Sequence, residues 1–415
     1  MAFMKNHIGA LLVCTALTGA CLDPIQSTPT PPPESDCQAD VPPSCPPPEQ
    51  RGLARKVTVG RQHACALLET GGVRCWGGTG LAGDGTRALR ATAVDVRGLS
   101  QGVLAISAGG EHTCALLEGG QVRCWGSNNR FQLCIPDATT PALEPKPVID
   151  LSTDVVALAV GGEHSCTLHA TGAVMCWGNN DDIQLGLPGI DIPSNLPPKP
   201  LAVKGLPANI SAITAGDRHT CVATSDGKAW CWGDNRYGAL GDGKSGLDVR
   251  SGPVQVQGLS GPVRALTAGA SHTCARVGEG TIECWGLNAS GELGDDTALN
   301  RSVPVRPVGL PSDIQQVRAG GGSTCALSPD GRTRCWGANG EGQVGDGTQL
   351  HRPAPVSVSD LGGEVVDVDT GASNTCAVLK DGRVQCWGGN ATGQLGDGSQ
   401  TDRKTPVVVQ GLGAP

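Results

Sequence analysis

Beyond its first twenty residues this chain has no apolar run long enough to cross a bilayer, no basic stripe and no cluster of C-x-x-C spacings. The first absence excludes a spanning helix in the mature chain. The second, with a net charge of −8, leaves no electrostatic footprint for nucleic acid, whose phosphates must be neutralised. The third removes the usual zinc spacings as an account of the 19 cysteines, and so many thiols do not suit a reducing cytosol. Charged residues are only 17% of the chain, and Phe and Tyr are nearly missing, with two and one respectively. What is abundant is 62 Gly and 30 Pro, which punctuate turns and weaken helix interiors. The balance favours an all-β, turn-rich fold.

The N-terminus supports export. Lys5 and His7 precede an apolar run from Ile8 to Ala20, too short for a mature spanning helix and followed by small residues. Residues 1–20 read as a signal peptide. Leu17-Thr18-Gly19-Ala20-Cys21 resembles a relaxed bacterial lipobox, with Thr18 where Leu is usual, so Cys21 is the expected lipidation site and new N-terminus. Leu22 follows it where an Asp would favour inner-membrane retention, so the expected address is the bacterial outer membrane or cell surface. Simple cleavage, giving a secreted or periplasmic protein, is the alternative. Residues 21–52 form a Pro-rich tether whose segment from Pro24 to Gln50 has too little apolar content for a core. Cys37 and Cys45 within it are a possible pair.

Residues 53–415 are repetitive. Cys-Trp-Gly occurs seven times, at Cys75, Cys124, Cys176, Cys231, Cys284, Cys335 and Cys386. Ten residues before each stands another cysteine: Cys65, Cys114, Cys166, Cys221, Cys274, Cys325 and Cys376. The spacing of 49 to 55 residues suits four short strands, one blade of a β-propeller, and seven is an ordinary blade number. The sixth residue after each first cysteine is glycine (Gly71, Gly120, Gly172, Gly227, Gly280, Gly331, Gly382), as a three-residue hairpin loop with a left-handed final residue requires. This loop sets the two cysteines opposite each other at a non-hydrogen-bonded site, about 4.5 Å apart at Cα, within disulfide reach. Seven cross-strand disulfides follow. A metal site on His63, Cys65 and Cys75 is the rival, but copies six and seven carry Ser323 and Asn374 in place of the histidine and keep both cysteines. A ligand set would be lost as a set, so no metal and no cofactor is expected.

The first copy begins at Val57-Thr58-Val59 with no Pro-Val strand before it, while the last ends with an extra one, Pro406 to Leu412. The ring is therefore expected to close by that C-terminal strand completing the first blade, removing exposed edges. The expected architecture is a seven-bladed propeller of four-stranded blades, acting as a monomer.

The repeated Ala-Gly-x-x-His-Thr-Cys-Ala-Leu, Asp-Gly-x-Val-x-Cys-Trp-Gly and Asn-x-x-Gly-Gln-Leu-Gly-Asp-Gly-Thr pieces resemble the regulator-of-chromosome-condensation repeat. The resemblance implies the seven-bladed propeller but no single activity. Its members include a eukaryotic nucleotide-exchange factor and secreted bacterial protein inhibitors.

Several motifs carry no chemistry. Gly238 to Ser245 matches a P-loop letter for letter, but it occupies the repeat's Gly-Asp-Gly turn and no helical period follows. Equivalent histidines, His63, His112, His164, His219 and His272, are not a unique catalytic base, and the Gly-Asp-Gly aspartates read as turn formers. Cys134 replaces a turn glycine in copy two and has no repeat partner, so it is a free or intermolecularly paired thiol. Copies two and three depart most from the pattern, with Phe131, Ile135, Leu187, Ile190, Ile192 and Leu196 in their loops, and Tyr237 stands in the equivalent loop of copy four. Those loops are the expected binding surface. The leading function is a non-enzymatic surface lipoprotein that binds a protein or cell-envelope partner. A secreted inhibitor of the β-lactamase-inhibiting propeller type is the alternative, and a nucleotide-exchange factor the more distant one.

Overall fold

Each copy of the repeat folds into one four-stranded antiparallel sheet, and seven such sheets make a β-propeller in the computed structural model, which describes residues 52–135, 140–187, 199–246 and 252–413. The signal segment, Cys21, Cys37, Cys45, Ile190, Ile192 and Leu196 lie outside the described residues. In blade one the strands are Ala54–Val59, His63–Leu68, Val73–Gly77 and Arg90–Asp95, in that spatial order. The first strand of every blade lines the axis, enclosing a channel of about 320 Å³, and the fourth is outermost.

The hairpin register expected from the glycine spacing is present. Cys65 pairs with Cys75 across the second and third strands, and the same register holds in all seven blades. All seven disulfides are formed, with Cα separations of 4.0–4.1 Å, slightly closer than the expected spacing. Gly71, Gly172, Gly227, Gly331 and Gly382 hold φ between 77° and 83° at the turn, the region closed to most L side chains. Blade two differs, with Gly119 also left-handed in a short 3₁₀ turn, Glu118–Gly120.

The expected ring closure is corrected. Arg403–Val408 pairs with Val384–Gly388 and completes blade seven, not blade one. Blade one has its own outer strand, Arg90–Asp95. That strand lacks the proline that marks the others. In register, Ala93 stands where blades two to seven carry Pro145, Pro200, Pro253, Pro304, Pro355 and Pro406. Prolines on outermost strands remove donors from the edge and discourage pairing with other chains.

Adjacent blades are joined by a repeated buried device. Each Cys-Trp-Gly tryptophan donates its Nε1–H to a main-chain carbonyl of the preceding blade, at 2.8–3.1 Å, from Trp76 to Gln394 round to Trp387 to Gln343. In five seams the same carbonyl also accepts a hydroxyl, from Ser165, Thr220, Thr273, Thr324 or Thr375. The five equivalent histidines reach the hydroxyl of the next blade at 2.6–2.9 Å through Nε2. In four of these pairs the hydroxyl already donates to that carbonyl, so it accepts from the imidazole, which is neutral with its proton on Nε2.

The glycine three residues before each histidine is set by close packing. Backbone N–H groups of Arg61, Gly110, Gly162, Asp217, Ala270 and Gly321 donate to the glycine carbonyls of the next blade at 2.8–3.3 Å, forming a collar at one end of the channel. A Cβ on Gly109 would sit 1.9 Å from the Gly161 carbonyl oxygen, whereas one on Gly340 would meet nothing within 4 Å. Gly109→Ala is expected to cost about 1–3 kcal/mol or more, and Gly340→Ala within about 0.5 kcal/mol of nothing. Paired urea melts of the two variants would show it, and equal midpoints would contradict the collar.

Candidate binding face

Inner and third strands run in the same direction, so the turns after Val59 and its equivalents and the loops after each Cys-Trp-Gly share one face of the propeller. The loops have a common frame. An asparagine (Asn128, Asn180, Asn235, Asn288, Asn339, Asn390) accepts at Oδ1 the N–H five residues on, at 2.9–3.1 Å, and fixes the buried Leu or Val of the Gln-Leu-Gly turn. In blades one, five, six and seven the loop continues through an aspartate, Asp84, Asp295, Asp346 or Asp397. It accepts the N–H two residues on and pairs with Arg90, Arg301, Arg352 or Arg403 at 2.5–2.9 Å. Burial pushes these carboxyls up, but the Thr or Ser hydrogen bonds and the arginine outweigh it and hold them below the usual range. They are turn formers that consume their own charge. Asp242 plays the same part in the P-loop-like string, accepting from Lys244 N at 3.1 Å, and no helix follows in the described residues.

Blades two to four are different. There the charge is shared between loops of neighbouring blades. Arg130 lies 3.9 Å from Glu163 and 3.7 Å from Asp181, and Asn179 donates to Glu163 at 2.8 Å. Asp182 receives both Arg218, at 3.0 Å, and Arg236, at 2.5 Å, and Arg236 also meets Asp234 at 3.1 Å. The Asp182 hydrogen bond, first, and the charge of Asp234 hold the Arg236 guanidinium still more firmly protonated. Arg61 of blade one reaches Asp217 of blade four at 3.3 Å across the axis. Tyr237, beside Arg236, is 41% exposed and Phe131 is half-buried in a left-handed turn at φ 59°.

Two expected surface residues are corrected. Ile135 and Leu187 are 8% and 4% exposed and pack in the cores under Trp177 and Trp232, so they hold the loops down rather than offer contact. Phe131 and Tyr237 remain available. The polar network was not anticipated from the sequence, although its signal is there: seven charged residues, Arg130, Glu163, Asp181, Asp182, Arg218, Asp234 and Arg236, within the turns of copies two to four. Cys134 occupies the turn glycine's place at φ 50° and is buried; burial, with Asp150, pushes its thiol up to about 12. Intermolecular pairing is thus closed to it.

A Ser152–Asp154–His169 group has the residue types of a hydrolytic triad. Ser152 and Asp154 both approach His169 Nδ1, at 3.2 and 2.7 Å, and Nε2 faces the buried Thr167 at 3.1 Å. No ring nitrogen is left to activate an exposed nucleophile, so the group fixes a hairpin end. Among the described residues no cluster of three or more His, Cys, Asp or Glu could hold a metal, and no helix is long and apolar enough to cross a membrane.

The RCC1-like domain family matches residues 79–414, and the regulator of chromosome condensation (RCC1) repeat matches residues 54–80. The ultraviolet-B receptor UVR8 of Arabidopsis thaliana is 34% identical over 258 residues, 61% of this chain and 58% of the receptor. The human E3 ubiquitin-protein ligase HERC2 is 31% identical over 294 residues, 69% of this chain but 6% of the ligase. The chain thus spans less than two thirds of either relative. Among solved structures, Prp20p from Saccharomyces cerevisiae superposes with a TM-score of 0.70 at 21% identity, covering 87% of this chain and 88% of that one. Human WBSCR16 gives 0.69 at 21%, covering 78% and 87%. These two likenesses concern the fold. On the match to residues 79–414, more than half its length, the chain belongs to the RCC1-like domain family, as a member whose seven blades each carry a buried disulfide.

Proposed function

We propose that this protein is an exported, non-enzymatic binding propeller, held at the bacterial outer membrane by lipid on Cys21. It engages a protein or cell-envelope component through the loops of blades two to four. The observation that carries the reading is the contrast between loops. In blades one, five, six and seven the loop aspartate is spent on an arginine of its own blade, whereas blades two to four present a shared ionic network with an exposed tyrosine beside it. Aromatic and arginine side chains are the residues that most often anchor protein contacts, and a disulfide-stapled ring holds them in place. The disulfides themselves fit an oxidising compartment. The structure of Prp20p is described with its binding to Gsp1p and histones, which shows a protein-binding use of this fold in another chain. A secreted inhibitor would use the same face, and the two readings differ in the partner.

The test uses the full-length mature protein on its native membrane. Arg130→Glu with Tyr237→Ala is expected to lower capture of a cross-linked envelope partner by about tenfold or more, while Leu350→Asp on blade six leaves it unchanged. Equal capture by both variants would refute the blade two-to-four face. Separately, Cys21→Ser is expected to move the protein from the membrane to the soluble fraction, and no change in fractionation would refute the anchor.

A further inference from the structure

We propose that the seam between blades seven and one is the clasp of the ring: it is closed by side-chain and tail contacts peculiar to it, in place of strand exchange, and it is where the ring first opens. Six of the seven seams are crossed by the chain itself, because each blade is continuous in sequence. The seventh joins the first described blade to the last, and among the described residues nothing covalent crosses it.

Three features set that seam apart. The buried histidine-to-hydroxyl bond is missing there and nothing replaces it, whereas between blades six and seven, which also lack the histidine, Ser323 meets the Thr370 hydroxyl at 2.9 Å. Asn374 takes the histidine's place, the hydroxyl's place in blade one is Ala64, and both amide atoms of Asn374 are buried without a partner. Such an orphaned group weakens the contact it sits in. On the axial side two carboxylates compensate: Asp367 accepts from Val57 N at 3.0 Å and Asp369 from Val59 N at 2.9 Å. The corresponding inner-strand contacts in other seams are neutral, as in Ala108 N to Thr58 at 2.9 Å, Ala319 N to Thr267 at 3.0 Å and Val368 N to Gln316 at 3.2 Å. Gln316 and Arg318 of blade six steady the pair, Gln316 donating to Asp367 at 2.7 Å and Arg318 lying 3.6 Å from Asp369. Hydrogen bonds to ionised acceptors are the stronger kind.

The third feature is on the rim. Where six blades carry a proline with no N–H to give, Ala93 donates to the Gln410 carbonyl at 2.9 Å. Arg74 reaches the Gly411 carbonyl at 3.0 Å, and Gly413 N donates to Gly52 O at 2.9 Å, tying the last described residues to the first. The one outer strand without its proline is the strand that the chain's own end covers.

Peptide-level hydrogen exchange on the mature protein, quenched under reducing conditions, tests the clasp. In the wild type, residues 54–60 and 365–371 are expected to exchange before the other inner strands. Asp367→Ala with Asp369→Ala should speed exchange of 54–60 by about tenfold or more and leave 103–110 and 316–320 within about twofold. Thr58→Ala should do the reverse, affecting 103–110. If the double variant does not fold, Ala93→Pro, which installs the residue of the other six blades, serves instead. It should speed exchange of 409–413 while the other seams stay as they were. Uniform exchange across the seven inner strands in the wild type would overturn the proposal. So would a response to these variants spread evenly round the ring.

Discussion

Lowering the pH from 7 to 5 is expected to destabilise the propeller by on the order of 10 kcal/mol, mostly through its five buried histidines. Burial, the first cause in each case, lowers His63 and His219 to about 4 and His112, His164 and His272 to about 3, from 6.5. Each folded imidazole stays neutral where the unfolded chain binds a proton, so the stability it contributes is complete above about pH 6.5 and is lost as pH falls toward 3–4. At pH 5 the loss is about 2 kcal/mol per histidine. Asp369 acts in the opposite sense. Burial raises its carboxyl to about 6 against the pull of Arg318, so it favours the folded state as acid is added. That offsets about 1 kcal/mol over the same interval and does not change the sign. Urea melts at pH 7, 6 and 5 are the measurement, and a flat midpoint would mean that the imidazoles are not buried and neutral. His112→Asn, copying Asn374, should remove about a fifth of the sensitivity.

Reduction of the seven disulfides is expected to abolish the fold. Each closes the same short loop, with cysteines ten residues apart, worth roughly 3 kcal/mol in the chain-entropy estimate and less to the extent that hairpins persist when unfolded. Even half of that, over seven blades, matches the roughly 5–15 kcal/mol that holds an ordinary domain together. The sulfurs are also shielded, since all fourteen paired cysteines are at most 1% exposed. Reductant under native conditions should therefore act on the blade pairs only through opened molecules, leaving the thiol count of residues 53–415 near zero, and Cys134 should stay unlabelled with them. In urea the same reductant should release every pair, and the reduced chain should not recover its near-ultraviolet circular dichroism after dilution. Recovery would show that packing alone suffices.

Much of this was legible in the residues, for identifiable reasons. Blade number and disulfide pairing follow from two fixed spacings, Cys to Cys and Cys to Gly, and local hairpin geometry turns such spacings into register. Ring closure was misread because the Pro-Val signature that marks an outer strand is absent from Arg90–Asp95. Its proline has given way to Ala93, whose N–H has a partner some three hundred residues further along the chain. Ile135 and Leu187 looked like contact residues because apolar character says nothing about which side of a loop faces the core. The network around Asp182 was hidden for a related reason: its members come from different repeats and meet only once the blades are stacked.

The hydrogen bonds handed from each blade to the next bear on how such a protein can change. The histidine of one repeat finds its hydroxyl in the following repeat, so the unit that must be inherited together straddles two copies. Asn374 and Ala64, some three hundred residues apart in the chain, occupy the two halves of one such pair and do not form it. A designer averaging the repeats column by column would need to place histidine at 374 and threonine at 64 in one step, because histidine alone would meet no hydroxyl across the seam. Blades of this ring cannot be traded as modules; only interfaces can.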